Sequence, residues 1–231
     1  MVQLGFQRDG ALPDGAVPWL HDFGKLIGRH GFAPAFRVRV HGAERVPRTG
    51  PLVVIANHSS MLEPQLIYGM LPRRCAFLVK QELFTGAAGW GLRRLGQIPV
   101  RRGAPDRAPL LTAVSVLRGG GAVGVFPEGT RGAGDVDNAE RGAAWLVRAS
   151  GATVIGVATR GTRKPDDGRR RFRPRVDILV GNPFTVNVDK GRAGLETATE
   201  QLRGELAAVV RALDEWREAH GIRAQGRKEQ A

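Results

Sequence analysis

The sequence predicts a single α/β domain: a largely parallel or mixed central sheet flanked by helices, with an amphipathic helix at its N-terminus. Three observations predict it. From residue 36 onward, short apolar runs rich in Val, Ile, Leu and Ala alternate with helical stretches. Most of those runs are continuous rather than alternating, as in strands covered on both faces. No repeat or linker divides the 231 residues, a length that holds one sizeable core.

The elements follow in order. After a lead-in of Gly, Pro and Asp, Val17, Trp19, Leu20, Phe23, Leu26 and Ile27 fall on one side of a 3.6-residue period. His21, Asp22, Lys25 and Arg29 lie outside it. This is an amphipathic helix ending near Gly31, and its apolar side has two open destinations, a membrane interface or the protein's own core. Strands are expected at 36–40, 52–56, 76–79, 97–100, 122–126, 153–158 and 176–180, and helices at 64–71, 106–118, 140–150 and 192–220. Gly119 and Gly151 stand where helix-ending residues belong. In the last helix Leu195, Leu202, Leu206, Val209, Leu213 and Trp216 make a stripe suited to packing on the sheet. The organisation is a lead-in and helix over 1–31, a main domain over 32–220 and a basic tail over 221–231.

Charge narrows the function classes. Thirty-five Lys and Arg against 22 Asp and Glu give a formal charge of +13, which attracts nucleic acid, an anionic leaflet or phosphorylated substrates. Nucleic acid is the poorest match, because no reader motif is present and aromatic residues make up only 6%. No apolar run reaches the roughly 18 residues needed to span a bilayer, and the opening residues lack the apolar core of a signal peptide. A membrane role would therefore place the chain on the surface. The one cysteine, Cys75, reads as a buried small hydrophobe. The loop 163–175 is crowded with Arg and Lys; it reads as a solvated connection, with lipid phosphates as its functional alternative.

Three segments place reactive or anion-binding groups just after an apolar strand, where ligands collect in open α/β sheets. In Asn57-His58-Ser59-Ser60-Met61-Leu62-Glu63-Pro64, His58 can serve as a general base, its ordinary pKa lying near neutrality. Glu63 can hold the other ring nitrogen, as the carboxylate of a hydrolase triad does. Ser60 to Glu63 also has the form of a capping box, in which Glu63 only holds a helix N-terminus. In Gly96-Gln97-Ile98-Pro99-Val100-Arg101-Arg102-Gly103, the paired arginines can grip a phosphate. In Phe126-Pro127-Glu128-Gly129-Thr130-Arg131, Gly129 permits a tight turn with exposed N–H groups, Arg131 adds charge and Glu128 accepts from hydroxyls. Gly119 to Gly124 matches G-x-G-x-x-G, but it follows a helix and leads into a strand, the reverse of a dinucleotide site. No cluster has metal-ligand spacing.

Taken in order, NHSSMLEP, GQIPVRRG and FPEGTR resemble the blocks of the glycerolipid acyltransferase family, which includes the 1-acylglycerol-3-phosphate (lysophosphatidic acid) acyltransferases. The likeness runs from about Phe36 to Val188. It implies an acyltransferase domain over 32–220, an acyl thioester donor (acyl-CoA or acyl-acyl carrier protein as co-substrate), a lysophospholipid acceptor and no further cofactor or metal. It implies work at an anionic membrane surface, peripheral on the cytoplasmic face, in phospholipid biosynthesis, with no nucleic-acid partner. His58 matches the general base, Glu63 the carboxylate behind it, and Arg102 the arginine of the second block, beside Arg101. Glu128, Gly129, Thr130 and Arg131 match the acceptor-binding block. The oxyanion formed on attack needs donors, for which backbone N–H groups near His58 are the candidates. The chain departs from the pattern with Glu63 for the usual Asp, Arg101 at an often acidic place, Gly156 where Pro is usual, and Ala143 near an expected Lys. Two alternatives stand beside this reading: the same chemistry on another lipid acceptor, and a lipid-binding relative without catalysis.

Overall fold

The strands of the computed structural model are β1 (Arg37–His41), β2 (Leu52–Ala56), β3 (Ala76–Lys80), β4 (Ile98–Val100), β5 (Ala122–Val125), β6 (Thr153–Arg160) and β7 (Arg175–Val180). They form one seven-stranded sheet in the order β1-β7-β6-β2-β5-β3-β4. The structure describes residues 10–31, 34–101, 107–127, 136, 141–163 and 172–222. β6, β2, β5, β3 and β4 are parallel. β1 and β7 are parallel to each other but run against the rest, because the β6–β7 seam is antiparallel. The sheet is therefore mixed, with its parallel half holding the strand that carries His58.

That strand is the centre of the core. All five residues of β2 are buried, and the two-residue period of a strand divides them between two layers. Leu52, Val54 and Ala56 pack with Leu66, Ile67 and Phe77 beneath α2 (Glu63–Met70). Val53 and Ile55 face the opposite layer, built by α4 (Ala108–Arg118), α5 (Gly142–Ser150) and α6 (Gly191–Ala219). Burial of each such aliphatic side chain contributes roughly 1.5–3 kcal/mol. At the far edge of the sheet, buried Arg73 donates to the carbonyls of Pro47, Gly50 and Gly120, tying three loops together. Cys75 is buried as expected, and desolvation pushes its thiol up to about 12.

The N-terminal helix α1 (Pro18–His30) forms where its period predicts, but it packs by the opposite side. His21, Lys25 and Gly28 face inward, while Trp19, Phe23, Leu26 and Ile27 are exposed. Polar contacts hold the inner face. Lys25 Nζ donates to Leu71 O (2.8 Å) and Arg73 O (2.7 Å), just past the end of α2. Arg74 grips Asp22 with two bonds of 2.9 and 2.7 Å, and Tyr68 Oη donates to His21 O. Burial pushes Lys25 down to about 8 and His21 down to about 4. His21 is thus neutral at pH 7 and donates from Nδ1 to Leu95 O at 2.7 Å. Gly28 and Gly69 let the two helix backbones touch: a Cβ on Gly69 would sit 2.5 Å from the Gly28 carbonyl carbon.

Of the apolar side of α1, Trp19, Phe23, Leu26 and Ile27 therefore do not pack into the core. The sequence pattern misses α3 (Gly86–Arg94), whose Gly86, Gly89 and Gly91 give it weak helix propensity. The α1–α2 contact carries a direct test. Gly69→Ala should lower stability to chemical denaturation by about 1–3 kcal/mol, through backbone overpacking. Gly204→Ala, on α6 with open space around it, should be neutral or stabilising by up to about 1 kcal/mol. Equal effects of the two variants would contradict the close approach.

Candidate active site

The candidate site grows from the carboxyl end of β2, where the chain turns between two parallel neighbours, β6 and β5. Asn57 is fully buried and extends the β2–β6 pairing by one step: its Oδ1 accepts Thr159 N–H (2.8 Å) and its Nδ2 donates to Thr159 O (3.2 Å). This fixes where the next residue, His58, leaves the strand. Phe126, just past β5, sets the tilt of the imidazole, with ring centroids 4.7 Å apart. Phe126 in turn stacks on Phe77 at 5.9 Å. The Phe77 ring lies against Gly124, where a Cβ would meet it at 2.2 Å. A glycine in β5 thus makes room for the ring column that supports His58.

Glu63 opens α2 and is fully buried. A buried carboxylate is costly unless hydrogen-bonded, and this one is surrounded by donors. Oε2 faces His58 Nδ1 at 3.2 Å and accepts the N–H groups of Ser59 (2.6 Å) and Ser60 (3.0 Å). Oε1 accepts the hydroxyls of Ser59 (2.5 Å) and Thr162 (2.8 Å). Because a carboxylate only accepts, Nδ1 carries the imidazole hydrogen and Nε2 carries the lone pair of the neutral ring. The cap and the His-facing carboxylate, alternatives in the sequence, are here one geometry: a single side chain holds the turn and the imidazole. The capping box itself is incomplete, since Ser60 Oγ accepts from Leu62 N at 3.2 Å. Two of the N–H groups near His58 are committed to Glu63, so Ser59 and Ser60 are not oxyanion donors in this arrangement.

The other predicted residues divide by position. Arg101 is exposed and follows β4, three strands from β2 on the same edge of the sheet, roughly 14 Å away laterally at ordinary strand spacing. Arg102, Glu128, Gly129, Thr130 and Arg131 lie outside the described residues. Pro127, the last described residue before Glu128, continues from β5 beside β2. Thr162 is the residue that sequence reasoning missed. Its signal was a hydroxyl immediately after a strand, on the edge where the motifs collect. A second His–acid pair, His41 Nε2 to Asp177 Oδ1 at 3.4 Å, is of another kind. Asp177 also takes Arg217 at 2.6 Å and Arg175 at 2.9 Å, which makes it an ion-pair anchor for α6.

Two departures from the family pattern prove to be packing positions. Ala143 is buried in the core of the α4–α5–α6 layer. Gly156 leaves its room to Val209, whose Cγ2 would stand 3.1 Å from an added Cβ. Much of the loop 163–175 lies outside the described residues, but Arg173 and Arg175 line a cavity of about 630 Å³ together with Arg29, Arg37, Arg39, Phe36 and Met70. Phe172 beside it is exposed. Among the described residues no cluster of three metal-ligating side chains occurs. No described helix is long and apolar enough to cross a membrane.

A buried His–carboxylate pair thus stands at the carboxyl edge of the parallel half of a mixed sheet, on an α/β scaffold. Comparison with known proteins gives that site its family. The acyltransferase family model matches residues 37–160, more than half of the chain. The 1-acyl-sn-glycerol-3-phosphate acyltransferase of Bacillus subtilis (strain 168) is 30% identical over 150 residues, 64% of this chain and 73% of that one. The 1-acyl-sn-glycerol-3-phosphate acyltransferase alpha of Mus musculus is 38% identical over 99 residues, 41% of this chain and 35% of that one. The crystal structure of the 1-acyl-sn-glycerophosphate (LPA) acyltransferase PlsC from Thermotoga maritima superposes with a TM-score of 0.65 at 26% identity, covering 85% of this chain and 79% of that one. The chain belongs to the acyltransferase family.

The geometry of Glu63 predicts a double effect. Glu63→Ala leaves the partly buried N–H groups of Ser59 and Ser60 without their acceptor, and should lower stability by about 1–3 kcal/mol in denaturant titration. Stability equal to wild type would show that the carboxylate is not the anchor of this turn.

Proposed function

We propose that this acyltransferase moves a fatty acyl group from an acyl thioester to the hydroxyl of 1-acylglycerol-3-phosphate. The observation that carries the reading is the buried pair His58 Nδ1–Glu63 Oε2, at 3.2 Å and at the carboxyl edge of β2. His58 Nε2 takes the proton of the acceptor hydroxyl as its oxygen attacks the thioester carbonyl. Glu63 holds the ring tautomer and stabilises the imidazolium that forms. Collapse of the tetrahedral intermediate expels the thiolate, which takes from His58 the proton that came from the acceptor hydroxyl, so that no acyl-enzyme is needed. Arg101, Arg102 and Arg131 supply cationic donors for the acceptor's phosphate, while Glu128, Gly129 and Thr130 hold its glycerol portion. The thiol carrier is coenzyme A or acyl carrier protein.

The lipid acceptor implies a membrane partner, and the orientation of α1 supports one. Trp19, Phe23, Leu26 and Ile27 are 69, 52, 45 and 55% exposed, an outward apolar face on a helix already anchored from behind. The chain would then lie peripherally on the cytoplasmic face, with Phe172 and the arginine-lined cavity near lipid phosphates.

Both parts can be tested on purified protein. His58→Ala should reduce acyl transfer by roughly 10³-fold, with an unchanged circular dichroism spectrum, when product is followed by mass. Retained turnover would remove the general-base role. The triple variant Trp19→Ser, Phe23→Ser, Ile27→Ser should lose binding to phosphatidylglycerol-containing vesicles while keeping its melting temperature within a few degrees. Undiminished sedimentation with vesicles would place the membrane contact elsewhere. Deleting the helix is a poorer experiment, because it also uncovers the buried flank of α2.

A further inference from the structure

We infer that Thr162 is a positioning residue of the reaction, one that locks the lengthened carboxylate of Glu63 against the sheet and so aims His58. The inference rests on the general-base reading proposed above. Glu63 has one more methylene than the aspartate usual at its place, and therefore one more torsion to fix. The terminal torsion of a glutamate is broad, so a Glu in this role needs a constraint that an Asp would not.

The described contacts of Glu63 show where the constraint comes from. Those with His58, Ser59 and Ser60 all arise within five residues of it. These groups belong to the same turn and move with it. Thr162 is different: it stands 99 residues away in sequence, is 2% exposed, and donates to Oε1 at 2.8 Å. It ties the carboxylate to the segment leaving β6, the parallel neighbour of β2.

The backbone around Thr162 is arranged for that contact. β6 ends at Arg160, whose guanidinium is held by two 2.8 Å bonds to Asp214 of α6. Gly161 follows with φ of +95°, and a Cβ there would stand 2.1 Å from Arg175 O. Only glycine fits this turn, which directs the next residue back over the end of β2. The oxygen that Thr162 holds is Oε1, whereas the oxygen facing the imidazole is Oε2. Fixing one oxygen of a planar carboxylate fixes the plane in which the other can meet Nδ1.

The alternative is that Thr162 only fills space, and two substitutions separate the cases. Thr162→Val keeps the shape and removes the hydroxyl, while Thr162→Ser keeps the hydroxyl and removes a methyl group. A positioning role expects Thr162→Val to lower kcat about tenfold with KM unchanged, and Thr162→Ser to recover most of it. A packing role expects the reverse order. The hydroxyl's contact can also be read without turnover, from the His58 Nδ1–H proton resonance, which should move in Thr162→Val and stay in Thr162→Ser. In a Glu63→Asp background the shorter side chain withdraws from Thr162, so adding Thr162→Val should cost under twofold.

A Thr162→Val enzyme with wild-type kcat and an unmoved resonance overturns the inference. So does Thr162→Ser as impaired as Thr162→Val, or an effect confined to KM. Absence of acyl transfer by the wild-type protein would overturn the proposed reaction instead, and the resonance would still decide whether Thr162 aims the pair.

Discussion

A fully buried carboxylate sets the terms for the end of the sheet where chemistry is expected. Glu63 has no exposure, and an ionised group in that position persists only if the protein supplies donors in place of water. Those donors come from two directions: the turn leaving β2 gives two N–H groups, a hydroxyl and an imidazole, and the loop leaving β6 gives another hydroxyl. Their convergence requires β2 and β6 to be adjacent and parallel, so that both chains emerge on one edge. The reciprocal Asn57–Thr159 bonds carry that alignment one step past the strand. Topology, core and site are thus linked through one side chain.

Much of this was legible in the residues. The seven strands announced themselves by continuous aliphatic runs, and the structure places each within two residues of its expected ends. His58 and Glu63 were legible as a pair from their spacing after a buried strand. Strand direction was not, since the runs of β1 and β7 read the same whether parallel or antiparallel to β6. Thr162 was invisible for a related reason, because its importance depends on a neighbour 99 residues away that only the sheet order brings close. Helix α3 was hidden by its glycines, which lower intrinsic propensity while tertiary contacts still hold the helix. One of them, Gly89, presses on the backbone of Phe84 so closely that a Cβ would fall 2.2 Å from its carbonyl carbon.

Helix α1 marks the sharpest limit of pattern reading. Periodicity reports that a helix has two unlike faces, but it does not report which face meets the protein. Here the inward face works by hydrogen bonds and close backbone approach: a lysine donating to two carbonyls, a paired aspartate and a glycine contact. Hydrophobic burial is the usual glue between helices; on this seam the hydrogen bonds and the glycine contact hold the helix with its aromatic side chains pointing outward.

That division of labour bears on how such a chain can diverge. Docking and outward contact are encoded at interleaved but separate positions, 21, 22, 25 and 28 for one and 19, 23, 26 and 27 for the other. Substitution in the outward set leaves the anchoring set intact, so the surface offered to the surroundings can change without disturbing how the helix is held. The scaffold beneath inherits none of that change. An amphipathic helix mounted in this orientation works as an exchangeable sole on a fixed shoe.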